Sequence, residues 1–417
     1  MRALFVTSPG LGHVFPTVPL AHALRAAGHE VRYATGGVSL AVAEAGMNVV
    51  DVTPGLDYLP LYMPADDDGD NPMFAQDPED ELLAKLFGRV SGAMVDGVLA
   101  AARSWHPDVL IAAPLQGAGL LAATALGLPY VELPLGSYDS GKSLSTMVRD
   151  AMTAHYERHG VTGQPPETIR LTSILPSLAA LLPQDKQAKD ALPMRYVPYN
   201  GTRVLPDWLT HPPERPRIAV TLGSIEAQFG GITMLAPLMV AAGDVDAEFV
   251  LTLGGGDVSL LGPLPGNVRV VDWVPLDALL ETCAAIIHHG GTGTMLTAVA
   301  AGIPQCVVPR GSYQQTAGEA VPGRGIGITA DSATLGAAEC QTLLKDETMR
   351  DAALDARAEL MAMPAPAELV PRLVEFAGHR VLFDNSADIQ RGVIQHGGRQ
   401  RPQGAGEPDR RNRAALS

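Results

Sequence analysis

Two histidines followed directly by glycines and threonines form the stretch with the clearest chemical potential. They are His288, His289, Gly290, Gly291, Thr292, Gly293 and Thr294. An apolar run before them, 284–287, predicts a buried strand, and the small and apolar residues of 294–301 predict a helix. A glycine turn between a strand and a helix N-terminus exposes backbone N–H groups that attract anions. Histidine adds a donor that titrates near pH 7. The glycines alone are equally typical of a plain strand–helix connection.

His13 occupies a similar position near the start of the chain. It follows an apolar run, 3–7, that predicts the first buried strand, and a turn rich in glycine and proline, 8–12. Open parallel sheets bind ligands beyond the carboxyl ends of their strands, where His13 is expected. Imidazole has a suitable pKa for taking a proton from a hydroxyl group. His13 is therefore a candidate general base, and the alternative is a turn histidine with a local hydrogen bond.

The elements that must position these residues alternate between strand and helix patterns. Apolar strand-like runs occur at 3–7, 31–34, 47–52, 109–112, 130–133, 218–222, 249–253, 268–272, 284–287 and 305–309. Such alternation predicts parallel, doubly wound sheets. The strand pattern begins again after a proline-rich segment, so we predict two similar α/β halves facing a cleft. Residues 137–200 show no clear pattern.

Domain boundaries follow from the same pattern. We predict an N-terminal domain at 1–205, a proline-rich linker at 206–216 and a C-terminal domain at 217–365. A further helix is expected at 366–377, and the arginine-, glycine- and glutamine-rich remainder, 378–417, is expected to be a disordered tail.

Composition limits the classes of function. The 417 residues include 46% hydrophobic and 18% charged residues, enough for two cores, and the net charge of −15 argues against a nucleic-acid partner.

Three widely separated cysteines form neither a disulfide framework nor a zinc motif, which favours a cytoplasmic location. No signal peptide or membrane span is expected. Asp66, Asp68 and Asp70 fit a calcium loop poorly, and a solvated loop is expected instead.

Three motifs together resemble one family. Gly12-His13-Val14-Phe15-Pro16, Trp273-Val274-Pro275, and 288–294 with 309–315 have the order and spacing of the family 1 nucleotide-sugar-dependent glycosyltransferases. The branch that modifies bacterial natural products is the most similar. The resemblance implies the GT-B fold, in which two Rossmann-like domains face a cleft. It also implies a dTDP- or UDP-sugar as co-substrate, no metal, no other cofactor, and inversion at the anomeric carbon.

The same resemblance implies a role for each site residue. His13 would be the catalytic base. The donor would contact Ser224, Trp273, Val274, His289, Gly291, Thr292, Gly293, Thr294, Gln314 and Gln315. The Trp273 indole would stack on the nucleobase. His289 and the neighbouring amides would hold the phosphates, whereas His288 would pack or orient its neighbour. Two alternatives stay open: Trp273 as a core residue, and Ser224 as a helix N-cap.

The acceptor is expected to be a small, hydrophobic, aromatic aglycone. Its predicted pocket includes Phe15, Phe74, Met147 and Met152. Two departures from the family pattern concern the substrates. Gln314 stands where an acid usually contacts the sugar, which suits a deoxysugar. The supporting acid of the base is replaced within 113–116, so either His13 works without a carboxylate, as a less polarised base, or an acid from elsewhere, such as Asp139, substitutes. An acceptor that is already acidic, such as a phenol, would need less help.

The resulting hypothesis is an inverting, metal-independent glycosyltransferase that moves a deoxysugar onto a lipophilic, polyketide-type natural product. The alternative is a non-catalytic auxiliary protein that kept the fold. A dinucleotide enzyme or an epimerase is disfavoured because 254–256 lacks the order of a dinucleotide fingerprint. The expected binding partners are the nucleotide sugar and the aglycone. A homodimer is the one assembly that we consider.

Overall fold

A computed structural model describes residues 1–63, 80–134, 144–182, 190–224 and 231–378. Two parallel sheets organise them, with strand orders β3-β2-β1-β4-β5-β6-β7 and β10-β9-β8-β11-β12-β13. The strands are β1 Arg2–Val6, β2 Glu30–Thr35, β3 Asn48–Asp51, β4 Val109–Ala112, β5 Tyr130–Glu132, β6 Thr168–Thr172, β7 Leu192–Pro193, β8 Arg217–Thr221, β9 Glu248–Thr252, β10 Val268–Val271, β11 Ala285–His288, β12 Gln305–Val307 and β13 Gly327–Thr329. The predicted pair of doubly wound sheets is confirmed.

Helices connect the strands in both halves. They are α1 Leu11–Val14, α2 Val18–Ala26, α3 Asp80–Trp105, α4 Gly117–Leu126, α5 Leu144–Ala151, α6 Thr153–Arg158, α7 Pro176–Ala179, α8 Ala236–Ala241, α9 Leu276–Leu280, α10 Thr292–Ala301, α11 Ser312–Gly323, α12 Ala337–Lys345, α13 Glu347–Ala362 and α14 Pro366–Gly378. Among the described residues, no helix is long and apolar enough to cross a membrane.

The region without a sequence pattern contains two short strands at the edge of the first sheet. Strand β6 has four of its five residues partly or fully exposed, and β7 has only two residues. Buried parallel strands are recognised by continuous apolar runs, which these exposed edge strands lack. Their omission from the predicted strands follows from that exposure.

The last helix packs on the first half of the molecule. Leu369, Leu373 and Phe376 of α14 are buried in one apolar cluster with Phe5 and Leu20 of the N-terminal half. The predicted helix at 366–377 therefore completes the N-terminal core. The predicted tail lies outside the described residues beyond Gly378.

The predicted linker is anchored to the second half. Leu209 is buried in a cluster of the C-terminal half. Trp208 lies against two guanidinium groups, 5.1 Å from Arg217 and 4.8 Å from Arg269. Cation–π contacts of this kind hold an aromatic ring in place. The part of the predicted linker that contains Trp208 and Leu209 is therefore packed against the second half.

Glu248 is expected to stabilise the second sheet through its contacts with two arginines. Its carboxylate accepts a hydrogen bond of 3.0 Å from the Arg217 Nε and one of 2.9 Å from the Arg269 Nε. The Arg217 side chain is only 3% exposed. Glu248→Ala leaves the Arg217 charge buried and uncompensated. We expect a loss of about 3 kcal/mol in the free energy of unfolding, measured by urea denaturation. Arg269→Ala is the control, because that side chain is 44% exposed and its loss should cost less than about 1 kcal/mol. Equal losses in the two variants would contradict the assignment.

Candidate active site

A cavity of about 780 Å³ lies where the carboxyl ends of strands from both halves meet. Its first wall includes His13 after β1 and Ala113 after β4. Its second wall is formed by residues after β8, β9, β10 and β11, namely Gly223, Ser224, Gly254, Asp272, Trp273, Val274, His289, Gly290, Gly291, Thr292, Gly293 and Thr294. Parallel sheets place their ligand-binding loops at this edge. The predicted base and the predicted donor turn therefore line one cavity.

His13 lies on α1, directly after the β1 turn. Its backbone N–H donates to the Gly10 carbonyl at 2.9 Å, and its ring lies 5.4 Å from the Phe87 ring. A side chain at position 10 would come within 3.0 Å of the imidazole, so glycine leaves room for it. Burial lowers the pKa of His13 to about 4. The ring is therefore neutral at pH 7 and has a lone pair available to accept a proton.

The Nδ1 atom of His13 is buried and has no hydrogen-bond partner among the described residues. Gln116, in the segment where the family resemblance implied an acid, is buried and caps α4, because its Oε1 accepts from the Ala118 N–H at 3.0 Å. Its amide nitrogen donates to Ser8 Oγ at 3.2 Å. Gln116 thus supports the loop before His13. Asp139, the other candidate partner, lies outside the described residues.

The turn after β11 is built around a buried histidine. His288 Nε2 pairs with Gln305 Oε1 at 3.0 Å, and His288 Nδ1 accepts from the Gly290 N–H at 3.1 Å. These two bonds assign the tautomer with the proton on Nε2. Gly290 has a φ of +96°, which favours glycine. His288 therefore fixes the turn, as expected, and α10 begins two residues earlier than the sequence pattern indicated.

His289 lies between two glycines that leave space for its ring. A side chain at Gly223 or Gly291 would come within 2.8 Å and 2.4 Å of the imidazole, respectively. Burial lowers the pKa of His289 to about 4, against the opposing effect of a hydrogen bond to the Thr221 backbone. Its Nδ1 is buried without a hydrogen-bond partner among the described residues. A neutral imidazole and the amides at the start of α10 thus face the cavity.

The other predicted donor residues differ in position. Ser224 lines the cavity; the residues after it, 225–230, lie outside the described part, so its role as an N-cap stays open. Trp273 lines the cavity and also packs against the N-terminal core. Gln314 lines the cavity, while its Oε1 accepts from the N–H groups of Arg310 at 2.6 Å and Gly311 at 3.1 Å. Gln315 does not line it, because the next residue on a helix points about 100° away.

The predicted acceptor residues need correction. Met152 is fully buried in the core, and a side chain at Gly117 would come within 2.2 Å of its sulfur. Met147 is partly buried against the same core. Neither lines the cavity, because Met152 packs beside Gly117 of α4 and Met147 packs against the apolar cluster of the first half. Phe15 lines the cavity, but its ring packs toward Trp273. Phe74 lies outside the described residues.

An aromatic and aliphatic surface, which we call the acceptor wall, lines the N-terminal side of the cavity instead. It consists of Tyr58, Tyr62, Leu83, Phe87, Leu115 and Leu144. The Tyr62 and Phe87 rings meet edge to face with centroids 6.1 Å apart. Leu83 and Phe87 are spaced four residues apart on α3, a helical periodicity that was available in the sequence. The tyrosines belong to the irregular segment after β3, which gave no periodic signal.

The described lining of the cavity has few charged side chains, and these are acidic. It contains no lysine or arginine, and its charged members are Asp57 and Asp272. An anion bound there would interact with helix N–H groups and histidines rather than with a cationic side chain. Within the described ranges, no three His, Cys, Asp or Glu side chains are grouped to hold a metal ion.

Comparisons with known proteins agree with this geometry. Two family models described as erythromycin biosynthesis protein CIII-like match the chain, the N-terminal domain over residues 22–223 and the C-terminal domain over 236–376. The chain is 39% identical to the elloramycin glycosyltransferase ElmGT of Streptomyces olivaceus, over 89% of this chain and 97% of that protein. Its structure is similar to the glycosyltransferase SnogD from Streptomyces nogalater, with 59% identity and a TM-score of 0.83 over 90% and 99% of the two chains. It is also similar to SsfS6 from Streptomyces sp. SF2575, complexed with thymidine diphosphate, with 27% identity and a TM-score of 0.73 over 90% and 99%.

Proposed function

The chain belongs to the erythromycin biosynthesis protein CIII-like family and is a glycosyltransferase with the GT-B fold, and from this premise we propose its reaction. It transfers a deoxysugar from a dTDP-sugar, or a UDP-sugar, to a lipophilic aromatic natural product and inverts the anomeric centre. The reaction uses neither a metal nor a cofactor beyond the nucleotide sugar. The observation that carries the proposal is the shared cavity, which brings His13 and the turn of His289 together.

The chemical step assigns a different task to each wall. An acceptor oxygen attacks the anomeric carbon while the bond between that carbon and the diphosphate breaks. The acceptor proton moves to a ring nitrogen of His13, which is neutral and unpartnered at Nδ1. The leaving diphosphate gains negative charge, and the N–H groups at the start of α10 stabilise it. The neutral His289 ring adds its single N–H in the tautomer that has the proton on the nitrogen facing the phosphates.

The acceptor wall supports an aromatic aglycone. Flat rings pack well against the tyrosine and phenylalanine side chains of this wall. His13 is a weak base, because burial lowers its pKa and no described carboxylate contacts it. A phenolic hydroxyl needs less assistance than an aliphatic alcohol, so a phenol is the preferred nucleophile. The relative ElmGT is named for elloramycin, and the dTDP preference follows the thymidine diphosphate bound to SsfS6.

Calorimetry with free nucleotides tests the donor assignment. We expect dTDP to bind the purified protein with EDTA present, because the cavity offers neutral N–H donors rather than a metal site. UDP is the comparison ligand, and AMP is the control that lacks both the pyrimidine and the second phosphate. Binding of neither dTDP nor UDP is the result expected of a non-catalytic auxiliary protein and would contradict the proposal.

The pH dependence of transfer is expected to reflect the low pKa of His13. The base works in its neutral form, and a lowered pKa extends that form to lower pH. With an acceptor that ionises above pH 8, kcat/KM should therefore stay level from about pH 6 to 8. The acidic limb should have its midpoint below 6.5 and closer to the value of about 4. A midpoint above 6.5, measured while circular dichroism shows intact fold, would show that burial does not control this base.

A further inference from the structure

Phe15 belongs to the N-terminal half but contacts the donor side. It follows His13 by two residues, directly after α1, and its ring is only 8% exposed. Its ring meets Tyr199 edge to face at 5.1 Å and Trp273 at 6.5 Å, with interplanar angles of 89° and 71°. Trp273 stands after β10 in the other half, so these rings form a contact between the two halves.

Gly201 lies against the same two rings. Its φ of +84° favours glycine, and a side chain there would come within 3.4 Å of Trp273 Nε1 and 3.5 Å of Phe15 Cζ. The chain that connects the two halves thus passes over the edges of both rings. Glycine at position 201 therefore leaves the Phe15 and Trp273 rings to contact each other without a side chain from the connecting segment.

We propose that Phe15 is a positioning residue for the nucleotide donor. This inference rests on the proposed function, in which the nucleobase stacks on Trp273. Edge-to-face packing of Phe15 holds the indole in the orientation that receives the base, before the donor arrives. Because α1 also carries His13, donor affinity is controlled partly by the half that binds the acceptor.

Phe87 provides a matched comparison on the opposite side of His13. Its ring lies 5.4 Å from the His13 ring and 6.1 Å from the Tyr62 ring, on the acceptor wall. Its described aromatic contacts do not include Trp273. Phe15→Leu and Phe87→Leu are the same chemical change, one on each side of the proposed base.

Titration of dTDP into the full chain and the two variants separates the roles. Phe15→Leu should weaken dTDP binding roughly three- to tenfold and raise the donor KM similarly, with little change in acceptor KM. Phe87→Leu should raise the acceptor KM and leave dTDP affinity within about twofold of wild type. Tryptophan fluorescence in the dTDP titration should also differ for Phe15→Leu, because the indole loses its edge contact.

A second variant keeps the test decisive if Phe15→Leu does not fold. Gly201→Ala removes neither aromatic ring, but alanine is strained at a φ of +84°, so the connecting segment beside Trp273 should shift and dTDP binding should also weaken. If the folded variants bind dTDP as wild type does, Phe15 has no positioning role. If wild type itself binds no dTDP, the proposed function fails first, and the inference fails with it.

Discussion

His13→Ala is expected to lower kcat about 10²- to 10⁴-fold, the usual contribution of a positioned general base. The hydroxyl of the acceptor then has no group to take its proton as the new bond forms. The dTDP affinity should stay within about twofold of wild type, because the turn proposed to bind the phosphates lies on the other wall of the cavity. Product formation at saturating donor, together with dTDP calorimetry, measures both quantities.

His22→Ala is the control for this change. His22 is an exposed histidine on α2, and its ring bonds the Ala45 carbonyl. His22 belongs to the same N-terminal half as His13 but does not line the cavity. Transfer by His22→Ala should therefore remain within about twofold of wild type. Near-normal turnover by His13→Ala would mean that another group takes the acceptor proton.

His289→Ala is expected to lower kcat/KM about 10²- to 10³-fold, comparable with the loss of one donor to a developing anion. The imidazole is held beside Gly223 and Gly291 where the phosphates are expected, and its removal leaves part of the new charge unstabilised. This variant should also bind dTDP more weakly, which His13→Ala should not. Steady-state kinetics and calorimetry on the same preparation distinguish the two effects.

His289→Gln is the matched companion, because its amide N–H restores a neutral donor of similar reach. It should recover part of the dTDP affinity lost in the alanine variant. Unchanged dTDP binding in His289→Ala would place the phosphates elsewhere, and a loss of folding cooperativity would indicate a packing role like that of His288.

Much of the fold was predictable because buried parallel strands leave a clear signal. Strands such as β1, β4 and β8 are fully or almost fully buried, so their apolar runs stand out between turns. The positions of His13 and His289 followed from β1 and β11, since His13 comes after the turn that follows β1 and His289 comes directly after β11. The region 335–361 has a continuous helical pattern in the sequence, but the chain forms two helices there, because the Asp346 side chain caps α13 by accepting from the Met349 N–H.

The acceptor wall was less predictable because it depends on packing between distant segments. Met147 and Met152 were plausible pocket residues by type, but α5 turns them toward α3 and α4. Phe15 was expected to face the acceptor, yet its ring turns toward Tyr199 and Trp273. Sequence spacing places residues along an element, whereas which neighbour a side chain meets is decided by tertiary contacts.

The most direct measurement is the anomeric configuration of the product, determined by NMR after transfer from a dTDP-deoxysugar to a phenolic aromatic polyketide with EDTA present. One displacement, with His13 taking the proton and the diphosphate leaving from the opposite face, predicts a product inverted relative to the donor. A product with retained configuration, or one that forms only after a divalent metal is added, would contradict a metal-independent, inverting displacement.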